Sequence, residues 1–248
     1  KINKKFKLIT ASNVFAHSDD LNSMTKSVKK LLRNDGVFVI EVQYLLNTIK
    51  DLTFDNIYHE HVNYWSVTCL KKYLKKFDLF LFDVEKINTH GGSIRAYVSK
   101  NSKKYKIKSS VERIVLEEKK FGIDKFETFN SFASKIYKLK KNFQNNFKKL
   151  NPEKVVFYGS PAKATTKLNF YGLQPGVFDT IEDNPLKIGK IIPGVNVTIC
   201  NKSKYINSDL DCIIVLAWNF FNEIKNKNQD LSAKFLSIQD LEEINSVQ

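Results

Sequence analysis

Cysteine, arginine and long apolar runs are all scarce in this chain. Of 248 residues only three are cysteine, Cys69, Cys200 and Cys212. The number is odd, the three lie far apart and no C-x-x-C pair occurs, which argues against a disulfide framework and against a zinc site. Each is expected to serve as a small buried hydrophobe. Arg33, Arg95 and Arg113 are the only arginines among 40 basic residues. Groove readout of nucleic acid leans on arginine's bidentate fork. The formal charge of +14, carried by dispersed lysines, therefore reads as a Lys/Asn-rich composition, and no nucleic-acid partner is expected. No apolar run reaches the roughly 18 residues that span a bilayer. The basic start, Lys1 to Lys7, leads into a strand-like segment without a signal-peptide cleavage pattern. The expectation is a cytoplasmic protein with no membrane partner. Its 42% hydrophobic and 27% charged residues suit one large or two ordinary α/β domains.

Hydrophobic periodicity supplies the elements. Phe6 to Asn13 reads as a short buried strand ending at a polar loop. Asp19 or Asp20 can cap a helix with Leu21, Met24, Val28, Leu31 and Leu32 at helical spacing, and Asn34-Asp35-Gly36 is expected to stop it. Val37 to Val42 is a second strand, so the run is a βαβ unit with a parallel sheet. Tyr44 to Tyr64 is irregular. Ser66 starts a helix with Leu70, Tyr73, Leu74 and Phe77 on one face. Leu79 to Ile87 and Ser93 to Val98 form a hairpin through Asn88-Thr89-His90-Gly91-Gly92, whose glycines permit positive φ. Two lysine-rich amphipathic helices occupy Ser109 to Leu150. Asn151-Pro152 breaks the run. Beyond it come strands at Val155 to Tyr158, Val177 to Ile181 and Asp211 to Ala217, with helices opened by Pro161 and at Asn219 to Asn226. The predicted division is 1–108, a helical connector at 109–150, and a smaller βα-repeating domain at 151–248.

All four histidines, His17, His59, His61 and His90, fall within the first 90 residues, in loops or at element edges. Tyr58-His59-Glu60-His61 is the densest cluster. Extended, it would put His59 and His61 on one side and Glu60 on the other. Two histidines at i, i+2 lack the further ligands that zinc takes, and no HExxH occurs, so no metal is assigned. General acid–base chemistry and a hydrogen-bonded polar loop both fit the cluster. Gly159-Ser160-Pro161-Ala162-Lys163-Ala164-Thr165-Thr166 joins a strand to a helix. Its backbone amides, with Ser160, Lys163 and Thr165, favour a phosphate or diphosphate over a plain helix start. It is not a Walker A loop. Asp183-Asn184-Pro185, followed by Lys187, Gly189, Pro193 and Gly194, is turn-rich and follows a strand, where it can touch the same ligand or simply connect.

In order along the chain, these stretches resemble the sugar C-methyltransferases of deoxysugar biosynthesis. The resemblance rests on Ser12-Asn13-Val14-Phe15-Ala16-His17, Phe54-Asp55-Asn56-Ile57-Tyr58-His59-Glu60-His61 and Thr89-His90-Gly91-Gly92-Ser93-Ile94-Arg95. It continues through Gly159-Ser160-Pro161-Ala162-Lys163, Asp183-Asn184-Pro185 with Pro193-Gly194, and Leu216-Ala217-Trp218-Asn219-Phe220. It implies part of a class I methyltransferase Rossmann-like domain, followed by a second, smaller Rossmann-like α/β domain. It also implies S-adenosylmethionine-dependent methylation of a nucleotide-linked keto-deoxysugar, at C3 beside a C4 ketone, through an enolate. His61 is then the base, with Glu60 orienting or assisting it and His17 near the sugar and the transferring methyl. Asn13, Val14 and Phe15 would face the cofactor. Tyr58, His59, His90, Gly91, Gly92, Ser160, Lys163 and Asn184 would face the nucleotide sugar. The family's cysteine-rich zinc segment is absent, as are its Gly-rich cofactor loop and the acid for the cofactor ribose. The resemblance thus reads as an N-terminally truncated member, with zinc confined to the missing segment. The alternative reading is a non-catalytic nucleotide-sugar-binding module.

Overall fold

The computed structural model describes residues 4–89, 91–174 and 178–243. His90 and Val177, both named above, lie outside the described residues. The chain divides into two compact units, Lys1–Phe132 and Ala133–Gln248. The division falls within the segment read from sequence as a helical connector.

The first unit opens with β1 (Phe6–Ser12), α1 (Leu21–Leu31) and β2 (Leu32–Gln43), and β1 pairs with β2 in parallel. The expected burial of β1 does not hold: it ends the sheet order, and apart from Ala11 its residues are exposed or half-buried. Asp20 caps α1, its side chain accepting from the Ser23 amide at 2.9 Å. The helix ends before Asn34-Asp35-Gly36, contrary to the sequence reading: Leu32 already belongs to β2 and pairs with Phe6. The ladder then slips, from Phe6 opposite Leu32 to Leu8 opposite Val37, so Arg33 to Gly36 bulge out. Gly36 is needed for packing there, since a Cβ would lie 2.9 Å from Leu32 Cδ1.

The stretch after β2, read as irregular, holds the short helix α2 (Leu45–Lys50) and a 3-10 turn at Phe54–Asn56. Short helices of this kind carry too few turns for periodicity to register. Then come α3 (Val67–Lys75), β3 (Phe80–Ile87) and β4 (Ser93–Ser99). The sheet order is β1-β2-β4-β3, with β4 antiparallel to both neighbours, so the hairpin inserts its second strand beside β2. On β2, Phe38, Ile40 and Val42 alternate inward onto the core shared with Leu70 and Leu74 of α3. Two long helices follow, α4 (Ser109–Phe121) and α5 (Phe126–Phe147). Gly122 ends α4 in the left-handed region at φ 75°, a conformation only glycine takes without strain.

The second unit contains β5 (Val155–Tyr158), α6 (Ala162–Tyr171), β6 (Asp179–Ile181), β7 (Ile191–Ile192) and β8 (Val197–Cys200). These are followed by β9 (Cys212–Val215), α7 (Phe221–Lys227) and β10 (Lys234–Ser237). The order is β10-β9-β5-β6-β8-β7, parallel except at β7. The strands β7, β8 and β10, which the sequence reading lacks, each carry an exposed position and so show no unbroken inward run, unlike β5, β6 and β9, which carry none. Central β5 is buried on both faces, which is why it reads as an unbroken apolar run. Val156 and Tyr158 meet Ile213 and Val215, while Phe157 meets the stacked Phe147 of α5 and Phe178. Of the cysteines expected to be buried, only Cys212 is; Cys200 is half-buried and Cys69 exposed. Cys69 faces out because α3 turns Val67, Leu70 and Leu74 inward.

A buried ion pair fixes the end of this unit. Lys167 of α6, 2% exposed, donates to Glu242 at 2.5 Å, and the Tyr171 hydroxyl donates to the same oxygen at 2.7 Å. Removing one partner of such a pair strands a buried charge. Lys167→Met should therefore cost about 3–5 kcal/mol. Urea unfolding followed by Trp218 fluorescence in a Trp65→Phe background measures it. Lys167→Met with Glu242→Leu together should recover most of the loss.

Candidate active site

Two loops at the carboxyl ends of the first unit's parallel strands carry the candidate groups, which is where open α/β sheets take ligands. After β1, Asn13 adopts φ 53° and its amide donates to the Glu41 carbonyl at 3.0 Å, so the chain turns sharply off the strand. A 3-10 turn over Phe15–His17 follows. Phe15 is fully buried against Phe38, Trp65 and Tyr73, and that anchor sets the direction of His17. The Ala16 carbonyl accepts the amides of both Val62 and Asn63 at 3.1 Å, and the Asn63 side chain donates to the Ser18 carbonyl. The second loop is thereby stitched to the first.

That second loop is a turn and not an extended strand, because the His61 amide bonds back to the Tyr58 carbonyl at 3.0 Å. The alternation expected for an extended segment is lost: His61 is buried, whereas His59 and Glu60 are exposed. The rings of His17 and His61 lie 4.7 Å apart, and that of Tyr58 lies 4.4 Å from His61. His59 packs only edge-on to Tyr58, at 5.9 Å.

The partner that fixes His61 is a residue the sequence reading passed over. His61 Nδ1 lies 2.7 Å from the Asn56 carbonyl oxygen. A carbonyl only accepts, so Nδ1 carries the proton and Nε2 is the basic nitrogen of the neutral ring. Asn56 is itself buried and held, donating to Thr53 Oγ1 and accepting from Gln43 Nε2, both at 3.2 Å. Asn56 stands in the stretch Phe54 to His61 that carries the resemblance, but with no role assigned to it; the fold buries both it and Asp55. Burial raises the Tyr58 phenol above its ordinary range, helped by the charge of Glu60 and by Tyr64. Tyr58 is therefore a hydrogen-bond donor at neutral pH.

In the second unit, Gly159 follows β5 at φ 86° and its amide donates to the Ile181 carbonyl at 2.7 Å. Both donors of Ser160 turn to Glu182: the amide at 3.0 Å and the hydroxyl at 2.6 Å, on the same oxygen. Lys187 reaches that oxygen at 3.4 Å and the Ser160 carbonyl at 3.0 Å, while the amides of Asp183 and Asn184 donate to the other oxygen. Where a phosphate was expected, Ser160 is thus engaged by the protein's own carboxylate. Lys163 stands with its Nζ 5.2 Å from the Trp218 ring centre. Glu182 escaped the sequence reading, although an acid 22 residues beyond Ser160 and just after the next strand is the pattern of nucleotide-binding βαβ units.

Residues 88–236 match the family described as C-methyltransferase C-terminal domain, more than half of the chain. The chain belongs to the C-methyltransferase family. Residues 1–82 match the methyltransferase domain family. The C-methyltransferase NovU of Streptomyces niveus is 29% identical over 227 residues, covering 90% of this chain and 54% of that protein. The chain thus spans about half the length of this relative. Among the described residues no helix is long and apolar enough to cross a membrane, and no cluster of three or more His, Cys, Asp or Glu is arranged to hold a metal.

A methyltransferase domain implies S-adenosylmethionine, and the residues assigned to it fit unequally. Asn13 and Val14 stand at the end of β1, and Val14 is 52% exposed, so both suit the wall of a cofactor site. Phe15 does not: its ring is core, and its contribution is to anchor the turn that bears His17.

Glu182 gives the second unit a definite pH response. Burial alone would raise its pKa, but the Ser160 hydroxyl, the Asn184 amide, the Lys187 charge and the Ser160 amide together bring it below the ordinary 4.5. A depressed carboxylate pKa stabilises the fold above the unfolded-state value, and that contribution disappears as pH falls through the folded value. Glu182→Gln should therefore lower stability at pH 7 and flatten its decline below about pH 4.5. Thermal melts from pH 3 to 7, compared with the parent chain, test both signs.

Proposed function

We propose that this chain carries the substrate-side half of an S-adenosylmethionine-dependent C-methyltransferase that acts on a nucleotide-linked keto-deoxysugar, at the carbon beside the ketone. The reading rests above all on the hydrogen bond that commits His61 Nδ1–H to the Asn56 carbonyl, so that the nitrogen able to take up a proton is Nε2. S-adenosylmethionine, when bound, supplies the electrophilic methyl group, with Asn13 and Val14 among the residues that would face it.

A ketone acidifies the C–H beside it, and removal of that proton gives an enolate whose carbon is the nucleophile. His61 Nε2 takes the proton, and the resulting imidazolium keeps Nδ1–H on the Asn56 carbonyl, a hydrogen bond that strengthens as the ring gains charge. Tyr58, protonated and beside His61, is suited to donate to the ketone oxygen as negative charge develops there. His17, in ring contact with His61, borders the same space. His59 and Glu60, exposed on the turn, would meet the sugar from its rim, with Gly91 beside it at the hairpin; the missing side chain of Gly92 instead makes room for Asn47, since a Cβ there would lie 2.5 Å from Asn47 Nδ2. In the second unit Lys163 and Asn184 would serve the nucleotide, while Ser160 would shape the loop through Glu182.

His61→Gln should lower methyl transfer by about 10²–10⁴-fold while changing nucleotide-sugar affinity only a few-fold. Radiolabelled methyl incorporation by the full-length protein, alongside calorimetric titration with the sugar nucleotide, measures both. Turnover within a factor of two of the parent would remove His61 as the base.

A further inference from the structure

Glu118 of α4 is fully buried, and its carboxylate accepts four hydrogen bonds, two on each oxygen. Oε1 takes the Tyr44 hydroxyl at 2.9 Å and the Val67 amide at 2.6 Å; Oε2 takes the Thr68 amide at 2.8 Å and the Thr68 hydroxyl at 2.5 Å. These donors belong to the two ends of one segment. Tyr44 is where the chain leaves β2, and Val67 is where α3 begins. Everything between them, α2 and the turn that bears Tyr58 and His61 included, is one segment whose ends a single side chain from another part of the fold holds together. The ends also touch directly, since the Leu45 amide donates to the Trp65 carbonyl at 3.0 Å.

We propose that Glu118 is a positioning residue for His61: by fixing both ends of segment 44–68 it holds the Asn56 carbonyl against His61 Nδ1 and so selects the ring's tautomer. A continuous run of hydrogen bonds joins the two. The Tyr44 carbonyl accepts the Thr48 amide at 3.1 Å, the Thr48 carbonyl accepts the Thr53 amide at 3.1 Å, and the Thr53 carbonyl accepts the Asn56 amide at 3.1 Å. The Asn56 carbonyl then meets His61 Nδ1 at 2.7 Å. Spatial continuity alone does not establish coupling; a discrete state that both ends bias does. That state here is Nδ1–H against Nε2–H on one imidazole. The inference rests on the reading of His61 as the base only for its importance, because the tautomer exists with or without catalysis.

The test is nitrogen-15 NMR of histidine-labelled full chain, with His61 assigned by its loss in His61→Gln. In the parent, neutral His61 should be almost wholly Nδ1–H. In Glu118→Ala it should relax to a mixture in which Nε2–H dominates, as in an unconstrained imidazole. Tyr44→Phe, which removes one donor and keeps the ring, should give a smaller shift in the same direction. In the full-length enzyme, Glu118→Ala should lose about 10²-fold in methyl transfer, as for a misplacement of about 1 Å. A folded Glu118→Ala with an unchanged Nδ1–H signal would overturn the proposal and leave Glu118 as a cap for α3. If Glu118→Ala does not fold, Tyr44→Phe and Thr68→Val decide, and an unchanged tautomer in both overturns it equally. An intact tautomer effect with a fully active His61→Gln enzyme would sink only the assignment of the base.

Discussion

A carboxylate with no water around it must collect hydrogen-bond donors from the protein, and the first unit is arranged around one that does so. Glu118 sits at the start of α3, where backbone amides have no partner within the helix. It takes the first two, Ser66 Oγ takes that of Cys69 at 3.1 Å, and the Leu70 amide closes the first helical bond to the Ser66 carbonyl. No amide of the first turn is left over. The Thr68 and Tyr44 hydroxyls supply the remaining two donors, and burial beside the Glu118 charge pushes the Tyr44 phenol well above the ordinary range, so that hydroxyl stays protonated. The second unit repeats the device twice. Glu242 gathers Lys167 and Tyr171; Glu182 gathers Ser160, Lys187 and two turn amides. In each case the acid joins segments distant in sequence, and its removal would leave several donors unsatisfied at once.

What could be read from the residues follows from how locally each feature is determined. The βαβ opening, the Ser66 cap and the hairpin were legible because period, cap and turn chemistry lie within a dozen residues of one another. The end of α1 was misread because Leu32 is claimed by a pairing with Phe6, a contact 26 residues away. At the site, motif resemblance brought out His17, Tyr58 and His61, and the fold brings those three rings together. It did not reveal what orients them. Asn56 acts through its backbone carbonyl, which no residue identity announces, and Glu118 looks in sequence like one more acid on a charged helix. Glu182 is hidden for the opposite reason: the loop before it resembles an anion site, and the anion that site meets is a carboxylate of the chain itself.

One backbone carbonyl accepts two of the hydrogen bonds that join the two histidine loops. Because the Ala16 carbonyl serves both Val62 and Asn63, His17 and His61 keep their spacing whenever that carbonyl keeps its bonds. Phe15 and Trp65 reinforce this from beneath, ring against ring at 5.5 Å. A pair of imidazoles held this way owes its geometry to backbone and packing, and the rings themselves need make no strong contact.

The place of β4 in the first sheet bears on how the chain is made. One family match ends at residue 82, within β3, and the other begins at residue 88, just after that strand, yet β4 lies between β2 and β3. While the ribosome is still short of Ser93, β3 has no strand to pair with, and β2 exposes the edge that β4 will cover. Local hairpins close quickly once both arms exist, whereas a strand waiting for a distant partner is open to mispairing. The chain keeps this wait brief: only five residues separate the arms of the hairpin, so β3 and β4 can emerge together and dock onto β2 as one piece.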